Sequence, residues 1–167
     1  RTAALTEDGA VLFPVRQGAK GVGAVSRHAF ATLRDDPLFL SESGVYAITS
    51  DGVTDQRGVQ KRSSRVDAKL CAEVGLSSAV SAVWNGYLVL CVNERCYVAD
   101  SRQKSASGES FEYEWYYWDN IPARVFLPLD GALFFGTESG YLARFNTDIE
   151  TVSRYSDDGA PVTARWS

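Results

Sequence analysis

The 167-residue chain has the length of one domain, and at 45% apolar and 23% charged residues it is not a disordered segment. Seventeen Lys and Arg against 21 Asp and Glu give a net charge of −4 and a pI near 5.0, which lacks the basic footprint of a nucleic-acid binder. No apolar run approaches the ~18 residues of a membrane span, no targeting segment opens the chain, and three Cys make no disulfide framework. A start at Arg1 without any Met is expected of a piece cut from a longer polypeptide.

In chain order, Leu12-Phe-Pro-Val15 reads as an outer strand and Gly18-Ala-Lys-Gly-Val-Gly23 as a flexible crossing. That crossing lacks the Gly-Lys-[Ser/Thr] end of a phosphate loop. A first group of strands follows: Ala29–Leu33, Leu38–Leu40, Val45–Ile48 and, more weakly, Gly58–Ser63. Residues 63–74 break the pattern, with Val66, Leu70 and Val74 at i, i+4 and i+8. Ser63 or Ser64 as cap and Gly75 as stop predict a helix of two to three turns. The second group runs Ala79–Trp84, Asn85-Gly86, Tyr87–Cys91, Cys96–Asp100 and Phe111–Trp118, with Ser101–Glu109 as an exposed loop. The third runs Val125–Leu129, Asp130-Gly131, Ala132–Phe135 and Tyr141–Phe145, then a polar loop over 147–159 and a last strand at Val162–Ser167. Asn-Gly and Asp-Gly between apolar runs are strong hairpin signals, because a type I′ turn needs positive φ at both central residues.

Taking Gly44, Cys96 and Gly140 as equivalent gives periods of 52 and 44 residues (44 to 96, 96 to 140). Several strands per ~40–50 residues is the spacing of propeller blades. The fold expected is all-β: a partial β-propeller of about three four-stranded antiparallel blades over 24–63, 76–118 and 122–167, plus one short helix. An antiparallel sandwich or barrel is the alternative, since it uses the same short strands and turns.

The string Leu133-Phe-Phe-Gly-Thr-Glu-Ser-Gly-Tyr-Leu-Ala-Arg-Phe-Asn146 resembles the blade motif of quinoprotein-like β-propellers. A looser resemblance is to propeller-type bacteriophage virion proteins of the packaged-DNA-stabilisation and tail-hub kind. It rests on Glu112–Pro122, Leu40–Ile48 and Ala160–Trp166. It implies a structural, protein-contacting role in a virion, not turnover. No ligand set for a quinone or its calcium ion is present.

No catalytic constellation emerges. His28 is the sole histidine and has no nucleophile elbow near it, and one His with Cys71, Cys91 and Cys96 makes no zinc site. Asp51–Asp55 and Asp157–Gly159 read as turns, because neither has the spacing of a calcium loop. Cys91 and Cys96 flank Val92–Arg95 on neighbouring strands and fill the places of Phe135 and Gly140 in the next blade. Buried free thiols and a strained disulfide are both open to them. The aromatic run is the most informative surface. Strand alternation sends Phe111, Tyr113, Trp115 and Tyr117 to one face and Glu112, Glu114, Tyr116 and Trp118 to the other. Tyr116, Trp118, Glu114 and Asp119 are therefore the candidate interaction surface.

The function expected is a non-enzymatic module without cofactors. Its partners would be proteins, further blades of its own longer chain, or a second copy, and neither nucleic acid nor membrane. The alternative is an extracellular carbohydrate-binding or glycan-cleaving propeller using the same four residues as a sugar groove.

Overall fold

Tight turns between apolar runs build three antiparallel sheets in the computed structural model, which describes residues 4–5, 8–9, 11–12, 21–50, 57–107, 110–145, 156–157 and 160–161. A small ladder, β1 (Ala4–Leu5) with β2 (Val11–Leu12), comes first. Sheet 1 follows in the order β3 (Phe30–Leu33), β4 (Asp36–Ser41), β5 (Gly44–Ser50), β6 (Arg57–Lys61). Sheet 2 is β7 (Val80–Trp84), β8 (Tyr87–Val92), β9 (Arg95–Ser107) and β10 (Ser110–Trp118). Sheet 3 is β11 (Val125–Leu129), β12 (Ala132–Gly136) and β13 (Leu142–Arg144). A last short pair joins β14 (Ser156–Asp157) to β15 (Ala160–Pro161). The sheets do not close into a barrel; the chain is all-β, with three antiparallel sheets of four, four and three strands among the described residues, consistent with the partial propeller expected. The predicted strand at 162–167, the turn at 51–55 and most of the loop at 147–159 lie outside the described residues.

Both predicted hairpins form. Asn85 and Gly86 have φ of 50° and 81°, and Asp130 and Gly131 have 48° and 77°, as a two-residue type I′ turn requires. Arg34 takes the same left-handed role in the first hairpin, at φ 54°.

Register corrects the repeat. Leu33 lies opposite Asp36 as Trp84 lies opposite Tyr87, and Ser41 opposite Gly44 as Val92 lies opposite Arg95. The first three strands of sheets 1 and 2 are thus offset by 51 residues (33 to 84, 44 to 95) and the fourth by 56 (61 to 117), and the equivalent of Gly44 is Arg95, not Cys96. Sheet 3 follows at 45 (84 to 129, 87 to 132). Its second connection is longer: Gly136 pairs with Leu142, and the Thr137 hydroxyl accepts the Tyr141 amide (3.1 Å).

The sheets stack face to face through two cores. Leu33, Leu38, Leu40, Val45 and Ala47 of sheet 1 meet Leu88, Leu90, Tyr97, Ala99 and Tyr113 of sheet 2. The opposite face of sheet 2, with Val80, Ala82, Val89, Cys91, Cys96 and Val98, meets Phe126, Leu133 and Phe135 of sheet 3.

Two expectations fail. The helix is one turn, α1 (Asp67–Leu70), followed by a 3-10 turn at Leu76–Ser78, and does not span 63–74. The Ser63 hydroxyl is spent on other partners: it accepts the Val45 amide (2.7 Å) and donates to Asp67 (2.6 Å), so no side chain caps the helix. Past Leu70 the chain turns inward on the Glu73 carboxylate, which leaves Val74 80% exposed and breaks the apolar stripe. The loop expected at Ser101–Glu109 is instead mostly strand, because β9 runs on to Ser107 opposite Ser110. Pairing steps from Tyr113↔Lys104 to Glu114↔Asp100, so Ser101, Arg102 and Gln103 bulge out. Asp100, buried, holds the bulge by accepting the Arg102 amide and its Nε (both 2.9 Å).

Candidate functional site

The strand β10 places its residues as alternation predicts, and both of its faces are largely engaged. Phe111, Trp115 and Tyr117 pack on the core between sheets 1 and 2, where Tyr113 is fully buried. The Tyr113 hydroxyl donates to Asp36 (2.8 Å); burial first, and that bond second, push its pKa above the usual phenol range. Trp115 donates from Nε1 to the Arg62 carbonyl (2.8 Å), and Tyr117 meets Tyr97 edge-on, with Lys69 Nζ 3.1 Å from its ring centre.

On the other face the four candidate residues divide. Arg65 clasps Glu114 through both carboxylate oxygens (2.8 and 2.9 Å). Trp118 is half-buried against Phe145, rings 5.7 Å apart, in the core between sheets 2 and 3. Tyr116, 43% exposed, and Asp119 face outward.

Two polar clusters, one tying sheet 1 to sheet 2 and one tying the segment after α1 to sheet 2, were not legible in the sequence. Arg62, buried, donates to Asp36 (2.9 Å) and Gln60 (3.1 Å) of sheet 1, and to Ser110 (2.8 Å) and the Phe111 carbonyl (3.1 Å) of sheet 2. Its guanidinium also lies 3.9 Å from the Phe111 ring centre. Glu73, equally enclosed, accepts from Tyr97 (2.8 Å), Arg95 (2.7 Å) and Asn93 (3.1 Å). Burial opposes its charge, but these three donors outweigh burial and hold the carboxyl below the usual carboxylate range. Burial and donation to Glu73 push the Tyr97 phenol upward. Both clusters hold a buried charge in bonds within the fold, Arg62 in one and Glu73 in the other, while Gln60, Asn93 and Arg95 reach the surface.

His28 joins sheet 1 to sheet 2 through its backbone, since its carbonyl accepts the Ser81 amide (3.0 Å), and its ring accepts from Arg27 Nε (2.9 Å). Cys91 and Cys96 are buried, unbonded and directly opposite each other. At the 45-residue offset Cys91 aligns with Gly136, and its partner position with Leu142, not with Phe135 and Gly140.

Among the described residues, the largest exposed apolar feature is the outer face of sheet 3. Of the nine large hydrophobics exposed among the described residues, five belong to this sheet and its connection: Val125, Leu127, Leu129, Tyr141 and Leu142. Val125, Leu127 and Leu129 occupy alternate positions of β11, beside Phe134 and Leu142. By the same offset they are the counterparts of Val80, Ala82, Trp84 and Val89, through which sheet 2 grips sheet 3. One period earlier they correspond to Ala29, Ala31, Leu33 and Leu38, through which sheet 1 grips sheet 2. The face is thus a third copy of one packing surface. The signal in the sequence was the apolar alternation Val125-x-Leu127-x-Leu129, on a strand whose other face was already apolar. Neither the protein-family models nor the curated proteins contain a match to this chain.

Proposed function

We propose that the chain is a non-enzymatic structural and protein-interaction module that holds a further antiparallel β-sheet against the outer face of sheet 3. One observation carries this reading: Val125, Leu127, Leu129 and Phe134 repeat, position for position, the residues that twice grip the next sheet within the chain. The occupant is a sheet of the same repeat, from further blades of a longer chain or from a second copy. The resemblance to propeller-type virion proteins extends the reading to a tail- or portal-associated assembly.

The energetics are adequate for association. Burying the exposed parts of Val125, Leu127, Leu129 and Leu142 offers on the order of 5 kcal/mol before the cost of lost motional freedom.

Light scattering on the isolated chain and on Leu127→Lys tests the proposal. The native chain should exceed its 18.3 kDa monomer mass increasingly with concentration, and the variant should stay monomeric with unchanged far-UV circular dichroism. A native chain that stays monomeric at high concentration contradicts it.

A further inference from the structure

Cys91 and Cys96 face each other across the hairpin β8–β9, one step from the Asn93-Glu94 turn. In a two-residue hairpin the pair flanking the turn, here Val92 and Arg95, exchanges backbone hydrogen bonds, and the next pair does not. The ladder keeps this phase, because Ser101 donates its amide to the Gly86 carbonyl (3.0 Å), an even number of steps along. Cys91 and Cys96 therefore occupy a non-hydrogen-bonded site, where Cα atoms sit about 4.5 Å apart and side chains come closest. That separation falls within the range a disulfide spans, toward its short end.

We propose that Cys91 and Cys96 are a reversible dithiol–disulfide site, oxidised by a small-molecule disulfide of the glutathione class. The Cys91 thiolate attacks one sulfur of the oxidant, forming a mixed disulfide and expelling one thiolate. The Cys96 thiolate then attacks the Cys91 sulfur and expels the second. Two electrons pass from the protein sulfurs to the oxidant, and the two thiol protons leave with the released thiols. Cys91 is the attacking group because the Cys96 thiol, the Ala123 amide and the Arg124 charge favour its anion, whereas Cys96 is pushed upward by its bond to Cys91 and by burial. Cys91 and Cys96 are 1% and 0% exposed in the core between sheets 2 and 3, so the exchange requires that interface to open.

The site has a structural readout. The reduced Cys91 thiol donates to the Ile121 carbonyl (3.2 Å), in the segment that carries the chain from sheet 2 to sheet 3. Oxidation removes that donor and leaves the carbonyl with the Ala123 amide alone (2.8 Å).

Equilibration of the folded chain with oxidised and reduced glutathione, acid quenching and peptide mapping test the proposal. Trypsin cuts after Arg95, between the two cysteines, and a glutamate-specific protease cuts after Glu73, separating Cys71 from Cys91. The expected product is a linked Cys91–Cys96 peptide pair in a chain lighter by about 2 Da, restored by excess reduced glutathione. The proposal is overturned if both cysteines stay alkylatable, if they carry only glutathione adducts, or if they link only in denaturant.

Discussion

Replacing Arg62 by Met removes the most connected side chain of the contact between sheets 1 and 2. The change deletes the 2.9 Å ion pair to Asp36, the donors to Gln60, Ser110 and the Phe111 carbonyl, and the stack on the Phe111 ring. Met keeps most of the apolar stem, so the loss is chiefly electrostatic. Breaking a buried pair by removing one partner costs about 3–5 kcal/mol, because the other charge stays behind. Here two features place the cost at the lower end, about 3 kcal/mol: Asp36 retains the Tyr113 hydroxyl, and its side chain is 19% exposed, open to rehydration. Ser110 and Gln60 still bond each other (2.9 Å), so neither is orphaned. Urea unfolding followed by tryptophan fluorescence measures the loss, with Trp115 beside the site as reporter. The double variant Arg62→Met/Asp36→Asn should recover at least half of it, since the stranded charge is gone. A single-variant loss below about 1 kcal/mol, or a double variant no better than the single, refutes the reasoning.

Three further outcomes follow from other parts of the chain. Gly131→Val should cost about 1–2 kcal/mol in thermal or urea unfolding, because φ is +77° there and, with nothing within 4 Å of an added Cβ, the cost is backbone strain alone. Glu73 has a lowered pKa in the folded chain, so its stabilisation is present above the unfolded carboxylate value near ~4.3 and is lost as pH falls through the folded value. Glu73→Gln should therefore cost about 2 kcal/mol at neutral pH and flatten the acid limb of a stability–pH profile; an unchanged acid limb counts against the Glu73 cluster. Gly44→Ala should destabilise by about 2 kcal/mol or more in urea unfolding, since an added Cβ would sit 2.3 Å from Asp67 and 2.7 Å from Ser63 at φ +125°.

What the sequence revealed and concealed divides by the range of the interaction. Asn85-Gly86 and Asp130-Gly131 announce their hairpins because turn chemistry is local, and the strands beside them follow from alternation. The repeat was visible but its register was not: Cys96 aligns by eye with Gly44, whereas the cross-strand pairing of Val92 with Arg95 fixes Arg95 there. The helix over 63–74 failed for a non-local reason, because Ser63 and Glu73 are drawn to β5 and to Tyr97 and Arg95. The long β9 was hidden by its polar composition. Its Lys104 lies 4.0 Å from the Phe111 ring centre, a contact only the folded hairpin creates. Of the four aromatic-strand candidates, the sequence placed Glu114, Tyr116 and Trp118 on one face of β10, but could not foresee that Arg65 and Phe145 engage two of them. Apart from Gln60, the hydrogen-bond partners of the Arg62 side chain named above lie 26 to 49 residues away in the chain, beyond any spacing rule.

The docking role proposed for sheet 3 is tested most directly by residue-resolved carbene footprinting across the concentration range in which light scattering reports association. Val125, Leu127, Leu129 and Leu142 should lose most of their labelling as mass rises, while Val74 and Tyr116, exposed elsewhere, keep theirs. Labelling of the β11 residues that stays constant while association proceeds, or protection that falls on Val74 and Tyr116 instead, would contradict the account.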